Sequence, residues 1–151
     1  MKALLDTNVL IDYFAKREPY YQDAFMLRVM HEFGDVELWS SIQSYSDIAS
    51  VLRNETNSAE LQNAFVSSLS FMHVCSLDQD NLVAACGEKW PDFEDCLIEQ
   101  CSRKIKAEFI LTRDAEGFAK SDVTVLSPKE FFTLVSEKYG LSYDTLDLSE
   151  V

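Results

Sequence analysis

Four aspartates stand beside the ends of apolar segments or near the starts of amphipathic ones. Asp6 ends the segment LLD, and Asp114 closes the segment FILTRD. Asp47 and Asp95 lie near the starts of two amphipathic stretches. Carboxylate oxygens are the ligands that Mg²⁺ and Mn²⁺ prefer, whereas a chain with only two histidines offers little for a zinc site. These residue types indicate a site for a hard divalent cation, provided that the fold brings them together.

Alternating apolar and amphipathic segments predict the elements that must position these acids. Strands are predicted at residues 2–5, 36–40, 71–77, 109–112 and 123–126. Helices are predicted at residues 9–17, 20–33, 42–53, 58–69, 79–88 and 93–106, and a last helix opens at Pro128. Gly34 suits a left-handed helix end. This order favours a three-layer α/β fold, with a parallel sheet and helices on both faces.

The edge of such a sheet is where the four acids should meet. Crossover helices run antiparallel to the strands, so helix starts and strand ends share the carboxyl edge. Open α/β sheets bind their ligands at that edge. We therefore expect Asp6, Asp47, Asp95 and Asp114 to lie there together.

Helix capping is the competing explanation for each acid, because aspartate is favoured at helix starts. Asp6 or Asn8 could cap the first helix, and Ser44 and Asp92 each stand three residues before an aspartate, as in a capping box. Capping does not explain why aspartates follow two apolar strand segments, where neighbouring carboxylates repel each other. A bound cation would remove that repulsion.

Length and composition predict one compact domain. The 151 residues are 47% hydrophobic, enough for a core without disulfides. We expect the domain to span residues 1–139 and a loosely held acidic tail to span residues 140–151. The apolar runs are much shorter than the ~20 residues of a membrane helix, and an acid at position 6 interrupts the N-terminal segment. We therefore expect a cytoplasmic protein without a membrane association.

The net charge limits the classes of nucleic-acid binder. Twenty-six acidic residues against 13 Lys and Arg give a net charge of −13, the wrong sign for a non-specific DNA binder. A nuclease stays compatible with this charge if bound cations supply local positive charge. The four cysteines lie in apolar stretches without Cys-x-x-Cys spacing, so we expect reduced, buried thiols.

The sequence resembles the PIN-domain family, and within it the VapC-type toxins and their relatives. The matching segments are LLDTNVLID at 4–12, SDI at 46–48, DFEDCL at 92–97, FILTRD at 109–114 and VLSPKEF at 125–131. The resemblance covers residues 2–133 and implies a five-stranded parallel sheet in the order 3-2-1-4-5. That order would make the first and fourth strands neighbours.

The resemblance also implies roles for particular residues. It matches the family's acidic metal site to Asp6, Asp47, Asp95 and Asp114, with Thr112 and Asn8 as supporting polar residues. This chain departs from the family pattern twice. Many members carry Glu where this chain has Asp47, and related sequences often have an acid at the position of Gly117.

Other polar residues near these motifs have plainer interpretations. Asp12 and Asp92 are expected to be solvated or capping residues. Arg113 is either a phosphate contact or an exposed charge.

The function implied is that of an endoribonuclease that hydrolyses RNA phosphodiesters with Mg²⁺ or Mn²⁺, in one form the toxin of a toxin–antitoxin pair. The implied partners are RNA, an antitoxin protein and a second copy of the chain. Two alternatives stay open. A haloacid-dehalogenase-type phosphatase needs Asp-x-Asp, whereas this chain has Asp6, Thr7 and Asn8. A catalytically silent PIN-fold scaffold that binds a protein would suit the charge of −13.

Overall fold

The computed structural model describes residues 1–143 and confirms the predicted α/β class. Its strands are β1 (Lys2–Leu5), β2 (Glu37–Ser41), β3 (Met72–Cys75), β4 (Phe109–Leu111) and β5 (Thr124–Leu126). All four pairings are parallel, and the strand order is β3-β2-β1-β4-β5. Most of the predicted acidic tail, residues 144–151, lies outside the described residues.

Helices follow the strands as predicted, with small shifts at their ends. They are α1 (Thr7–Phe14), α2 (Tyr21–Glu32), α3 (Ile42–Val51), α4 (Ser58–Ser68), α5 (Gln79–Glu88), α6 (Phe93–Ile105) and α7 (Pro128–Tyr139). A 3₁₀ turn at Ala115–Phe118, after β4, was not predicted. It contains a glycine and three other residues with no apolar periodicity that would reveal a helix.

The central strand divides the core into two layers. Ala3 and Leu5 of β1 pack into a buried cluster beneath α1, α2, α3 and α7. Leu4 points to the opposite face and packs with residues of α5 and α6, such as Ala85 and Cys101. Because β1 is paired on both sides and buried on both faces, the residue that follows it is held firmly at the carboxyl edge.

Local chemistry sets the helix ends. Helix α1 begins two residues earlier than predicted because the Asp6 side chain caps it, and it ends before Lys16, whose φ is +51°. Gly34 has a φ of +78° just beyond α2, as predicted. Ser127 and Glu130 form a capping box around the start of α7.

Three of the four cysteines are buried, as expected, but the expectation for Cys86 was wrong because it is exposed on α5. Burial raises the pKa of the Cys96 thiol to about 11 and that of Cys101 to about 12, which keeps both protonated. None of the helices within residues 1–143 has the length and apolarity needed to cross a bilayer.

Candidate active site

All four predicted aspartates line one cleft of about 290 Å³ at the carboxyl edge of the sheet. Asp92 and Glu94, from the start of α6, line the same cleft, so six carboxylates face it. Among the described residues, no Lys, Arg or His takes part in its lining. The cleft therefore gathers negative charge without a compensating cationic side chain.

Asp6 joins β1 to α1 and is nearly buried, with 7% of its surface exposed. Its Oδ1 accepts a hydrogen bond of 2.7 Å from the Thr7 amide and so caps α1. Its Oδ2 accepts a hydrogen bond of 2.7 Å from the Thr112 hydroxyl, beyond the end of β4. Both carboxylate oxygens of Asp6 are thus acceptors at fixed positions.

The Thr112 hydroxyl lies at the centre of this hydrogen-bond network. Its Oγ1 accepts hydrogen bonds from Asn8 Nδ2 at 3.2 Å and from the Asp114 amide at 3.0 Å. With both acceptor positions filled, its single proton is directed to Asp6. Asn8 closes the network, because its Oδ1 accepts from the Arg113 amide at 3.2 Å. The two residues that the resemblance assigned as supporting therefore tie the end of β1 to the end of β4.

Asp95 enters the cleft from the first turn of α6. Asp92 caps this helix, because its side chain accepts from the Asp95 amide at 3.1 Å. The carboxylate of Asp95 lies against Gly117 in the 3₁₀ turn: a Cβ built on Gly117 would overlap Asp95 Oδ2 and would lie 3.0 Å from its Cγ. Gly117, one of the two departures from the family pattern, leaves the space that the Asp95 carboxylate fills.

The charge in the cleft perturbs two of the acids. Burial, first, and the neighbouring charges of Asp6, Asp92 and Asp114 together raise the pKa of Asp95 to about 7. Burial also raises the pKa of Asp6, against the lowering effect of its hydrogen bonds from Thr112 and Thr7. Asp114 and Asp92 add to this rise. In both cases the surroundings disfavour the charged form of the carboxyl group.

Asp47 and Asp114 complete the four. Asp47 lies in the second turn of α3 and is half-buried, and Asp114 begins the 3₁₀ turn with an exposed side chain that makes no capping hydrogen bond. The predicted capping role of Ser44 was wrong: Ser41 caps α3. The Ser44 hydroxyl instead lies 2.8 Å from that of Thr7, which links α3 to α1.

The interpretation of Asp12 as a solvated or capping residue was wrong. Asp12 is 2% exposed, and it binds the Arg113 guanidinium through both carboxylate oxygens, at 2.6 and 3.2 Å. The same pairing engages the side chain of Arg113, which is therefore not an isolated exposed charge. The sequence carried one signal for this, because Asp12 falls on the apolar face of α1 beside Val9.

Chemically, the donor set suits a hard divalent cation, because every candidate ligand is a carboxylate or amide oxygen and the acids repel one another. Within residues 1–143, no group of three or more His, Cys, Asp or Glu side chains stands close enough together to hold a metal ion as arranged. Mg²⁺ is commonly bound through one or two carboxylates and retains several water ligands. The cleft is compatible with that kind of binding after adjustment of side chains such as Asp95.

Comparisons with known proteins agree with this architecture. A family model described as PIN domain matches residues 2–116. No protein in a curated set matches the sequence. A toxin–antitoxin complex from Klebsiella pneumoniae contains a chain with a TM-score of 0.61 and 22% identity, covering 83% of this chain and 97% of that chain.

Two further solved structures have the same fold. VapBC2 from Rickettsia felis, bound to a DNA fragment from its promoter, gives a TM-score of 0.61 at 14% identity, covering 84% of this chain and 98% of that chain. FitAcB from Neisseria gonorrhoeae gives 0.58 at 16% identity, with coverage of 84% and 98%. At these identities the likeness is one of fold.

Proposed function

This chain belongs to the PIN domain family, and we propose that it is a metal-dependent endoribonuclease that hydrolyses RNA phosphodiesters. The observation that carries the proposal is the cleft lined by six carboxylates, with no basic side chain of the described residues in its lining. A cluster of this kind is costly when empty, as the raised pKa values of Asp6 and Asp95 indicate. Such a cost is understandable where a cation is the normal occupant.

The proposed ligands of Mg²⁺ or Mn²⁺ are Asp6, Asp47, Asp95 and Asp114. When bound, the cation lowers the pKa of the attacking water and offsets charge at the phosphate. Asn8 and Thr112 act as supporting residues: they hold Asp6 and the Asp114 backbone in one network.

The fixed acceptors of Asp6 are the reason for giving it the leading role. Thr7 and Thr112 each occupy one lone pair of a carboxylate oxygen, which leaves one further lone pair on each oxygen available for a cation in the cleft that Asp6 lines. Its burial means that little reorganisation is needed when a cation arrives. Asp47 and Asp114, which are more exposed, supply charge that adapts to the ligand.

The proposed partner is an antitoxin protein. The similar structure from Klebsiella pneumoniae is a toxin–antitoxin complex, and the similar structures VapBC2 of Rickettsia felis and FitAB are bound to DNA fragments. For this chain we propose a partner that presents Arg or Lys to the acidic cleft, since its net charge is −13. We also propose that the chain pairs with a second copy, and that it acts on RNA in the cytoplasm.

A cleavage assay tests the enzymatic proposal. Purified protein should cut transfer RNA or other looped RNA at low salt in Mn²⁺ or Mg²⁺, and EDTA should stop the reaction. Asp6→Asn and Asp114→Asn should each abolish most of the activity, because an amide loses the charge that holds the cation. Asp80→Asn, at an exposed position on α5, is the matched control and should cut as the wild type does. Cleavage by Asp6→Asn at the wild-type rate would refute the proposed mechanism.

The net charge of −13 favours a second candidate, a catalytically silent scaffold that binds a protein partner. The two functions differ in what they require of the acids, since a scaffold does not need to bind a divalent cation. Calorimetry with Mn²⁺ separates them: saturable binding that Asp6→Asn removes supports the nuclease, and no binding by the wild type supports the scaffold.

A further inference from the structure

The pair formed by Asp12 and Arg113 adjoins the acidic cleft in the chain, because Arg113 immediately precedes Asp114, which lines that cleft. Asp12 is on the buried face of α1, and Arg113 stands between Thr112 and Asp114 on the segment after β4. We propose that Asp12 is a positioning residue: it anchors the Arg113 side chain and thereby holds Thr112 and Asp114 against the cleft. This inference rests on the proposed function for its chemical purpose, although the anchoring itself can be measured without any ligand.

The contacts of Arg113 show a side chain held at three points. Its Nε and Nη2 donate to the two oxygens of Asp12 at 2.6 and 3.2 Å, the two-pronged geometry in which Arg binds carboxylates most strongly. Its guanidinium carbon lies 4.0 Å from the centre of the Tyr20 ring, within the range of a cation–π contact. Its backbone amide donates to Asn8 Oδ1 at 3.2 Å.

The position of Arg113 in the chain connects this anchor to the cleft. Arg113 lies beyond β4, at a bend between Thr112 and Asp114, so fixing its side chain restricts where these two neighbours can lie. Here Arg113 is drawn toward Asp12 and Tyr20, while the Thr112 hydroxyl binds Asp6 and Asp114 lines the cleft. The Asp114 amide donates to Thr112 Oγ1 at 3.0 Å, which links the position of Asp114 to that of Thr112.

Burial makes the anchor specific. The Asp12 side chain is 2% exposed, and that of Arg113 is 32% exposed. Removing the Arg partner of a buried carboxylate strongly destabilises the fold, because the carboxylate is then buried without a compensating charge. Removing both partners leaves no uncompensated charge. The Arg17–Glu55 pair, near the end of the same helix, is a useful contrast: it spans 3.0 Å, but its side chains are 40% and 54% exposed.

Two measurements test the proposal on Asp12→Asn, Arg113→Met and the double variant. The first is the Kd for Mn²⁺ by calorimetry. Loss of a residue that orients a ligand weakens metal affinity by roughly 10–100-fold, and we expect this in each single variant. The double variant should be no weaker than either single one, since both changes break the same anchor. Glu55→Gln is the matched control and should bind Mn²⁺ as the wild type does.

The second measurement is hydrogen exchange of the Asp114 amide in metal-free protein. Loss of the anchor should speed its exchange by about tenfold or more through local opening, while amides of β1 keep their wild-type rates. If a single variant does not fold, the double variant, which leaves no buried charge unpaired, and Tyr20→Leu, at a position 42% exposed, carry the test.

The outcomes separate this proposal from the proposed function. Unchanged Mn²⁺ affinity together with an unchanged Asp114 exchange rate would overturn the positioning role and reduce the pair to a stabilising contact. If the wild type binds no Mn²⁺, the nuclease proposal fails, and the exchange rate alone then decides whether Asp12 positions Asp114.

Discussion

Replacing Asp6 by asparagine perturbs the buried end of the network in a way that the hydrogen bonds define. Asp6 receives one hydrogen bond on each oxygen, from the Thr7 amide and from the Thr112 hydroxyl. Asn has only one acceptor oxygen, so its NH₂ group must face one of these donors. If it faces Thr112, three donors converge on one hydroxyl, because Asn8 and the Asp114 amide already donate there. The variant therefore loses one hydrogen bond in either orientation.

The expected difference in stability between the wild type and Asp6→Asn follows from two opposing effects of the substitution and from the added effect of Mn²⁺ binding. An unsatisfied buried donor costs about 1–3 kcal/mol, and the removal of a carboxylate whose pKa is raised by burial and by neighbouring acids offsets part of that cost. Without a cation, the two proteins should therefore differ little in stability. At a Mn²⁺ concentration of about 100 times Kd, binding adds about 2.7 kcal/mol to the wild type alone. For a chain of this length that corresponds to a rise in Tm of roughly 5–10 °C.

The assay is thermal unfolding of both proteins with EDTA and with a series of Mn²⁺ concentrations. We expect Tm to rise with the logarithm of the Mn²⁺ concentration in the wild type and to stay flat in Asp6→Asn. An equal rise in both proteins would refute the reasoning, because the cation would then bind elsewhere. The Asp80→Asn variant controls for the loss of one acidic charge and should respond as the wild type does.

Three further predictions concern pH, space and salt. The pKa of Asp95 is about 7 against an ordinary 3.8, so the folded protein favours the protonated carboxyl group, and the resulting stabilisation is present below about pH 4 and is lost as pH rises through 7. In EDTA, the wild type should therefore lose stability relative to Asp95→Asn over that range. Parallel curves of stability against pH for the two proteins would contradict this assignment. Gly117→Ala should displace the Asp95 carboxylate and change the Kd for Mn²⁺ by about tenfold. Gly87→Ala should leave that Kd unchanged, because nothing lies within 4 Å of the added Cβ. Calorimetry would measure both values. Binding to generic RNA should be weak and should fall steeply between low and physiological salt, because only 13 Lys and Arg are present to release counterions, and a fluorescence titration that shows tight, salt-independent binding would oppose this.

The fold was largely predictable because local patterns and the hydrophobic core agree. The segment of β1 is a short apolar run in the sequence, and the strand is buried on both faces in the structure. Its sequence pattern and its environment therefore both indicate a central strand of a parallel sheet. The start of α7 was equally clear, since Ser127, Pro128 and Glu130 together satisfy the first turn. The 3₁₀ turn was missed because its course depends on what it packs against, namely Asp95 through Gly117.

The candidate site was predictable at the level of its edge but not of its contacts. Parallel topology predicts that the ends of β1 and β4 share one edge, and the strand order implied by the resemblance makes these strands neighbours, which brings Asp6 and Asp114 together. The bond between Asp12 and Arg113 joins residues 101 positions apart, so the place of Asp12 on the apolar face of α1 could indicate burial but could not identify its partner. Such a pair is specified by burial, which only the tertiary arrangement determines.

Capping and cation binding, which began as rival explanations of the acids, are not exclusive at Asp6. One oxygen caps α1, and the other is fixed by Thr112, so the helix start itself orients the carboxylate toward the cleft. At α6 two different residues serve capping and the proposed cation binding. The Asp92 side chain accepts the capping hydrogen bond, so the Asp95 side chain is not needed as a cap. Helix capping does not account for Asp114, whose side chain makes no capping hydrogen bond. It does not account for Asp47 either, which lies in the second turn of α3. Helix capping therefore explains how Asp6 is held, whereas it does not account for the convergence of six carboxylates in one cleft without a basic neighbour in its described lining, which the proposed cation would stabilise.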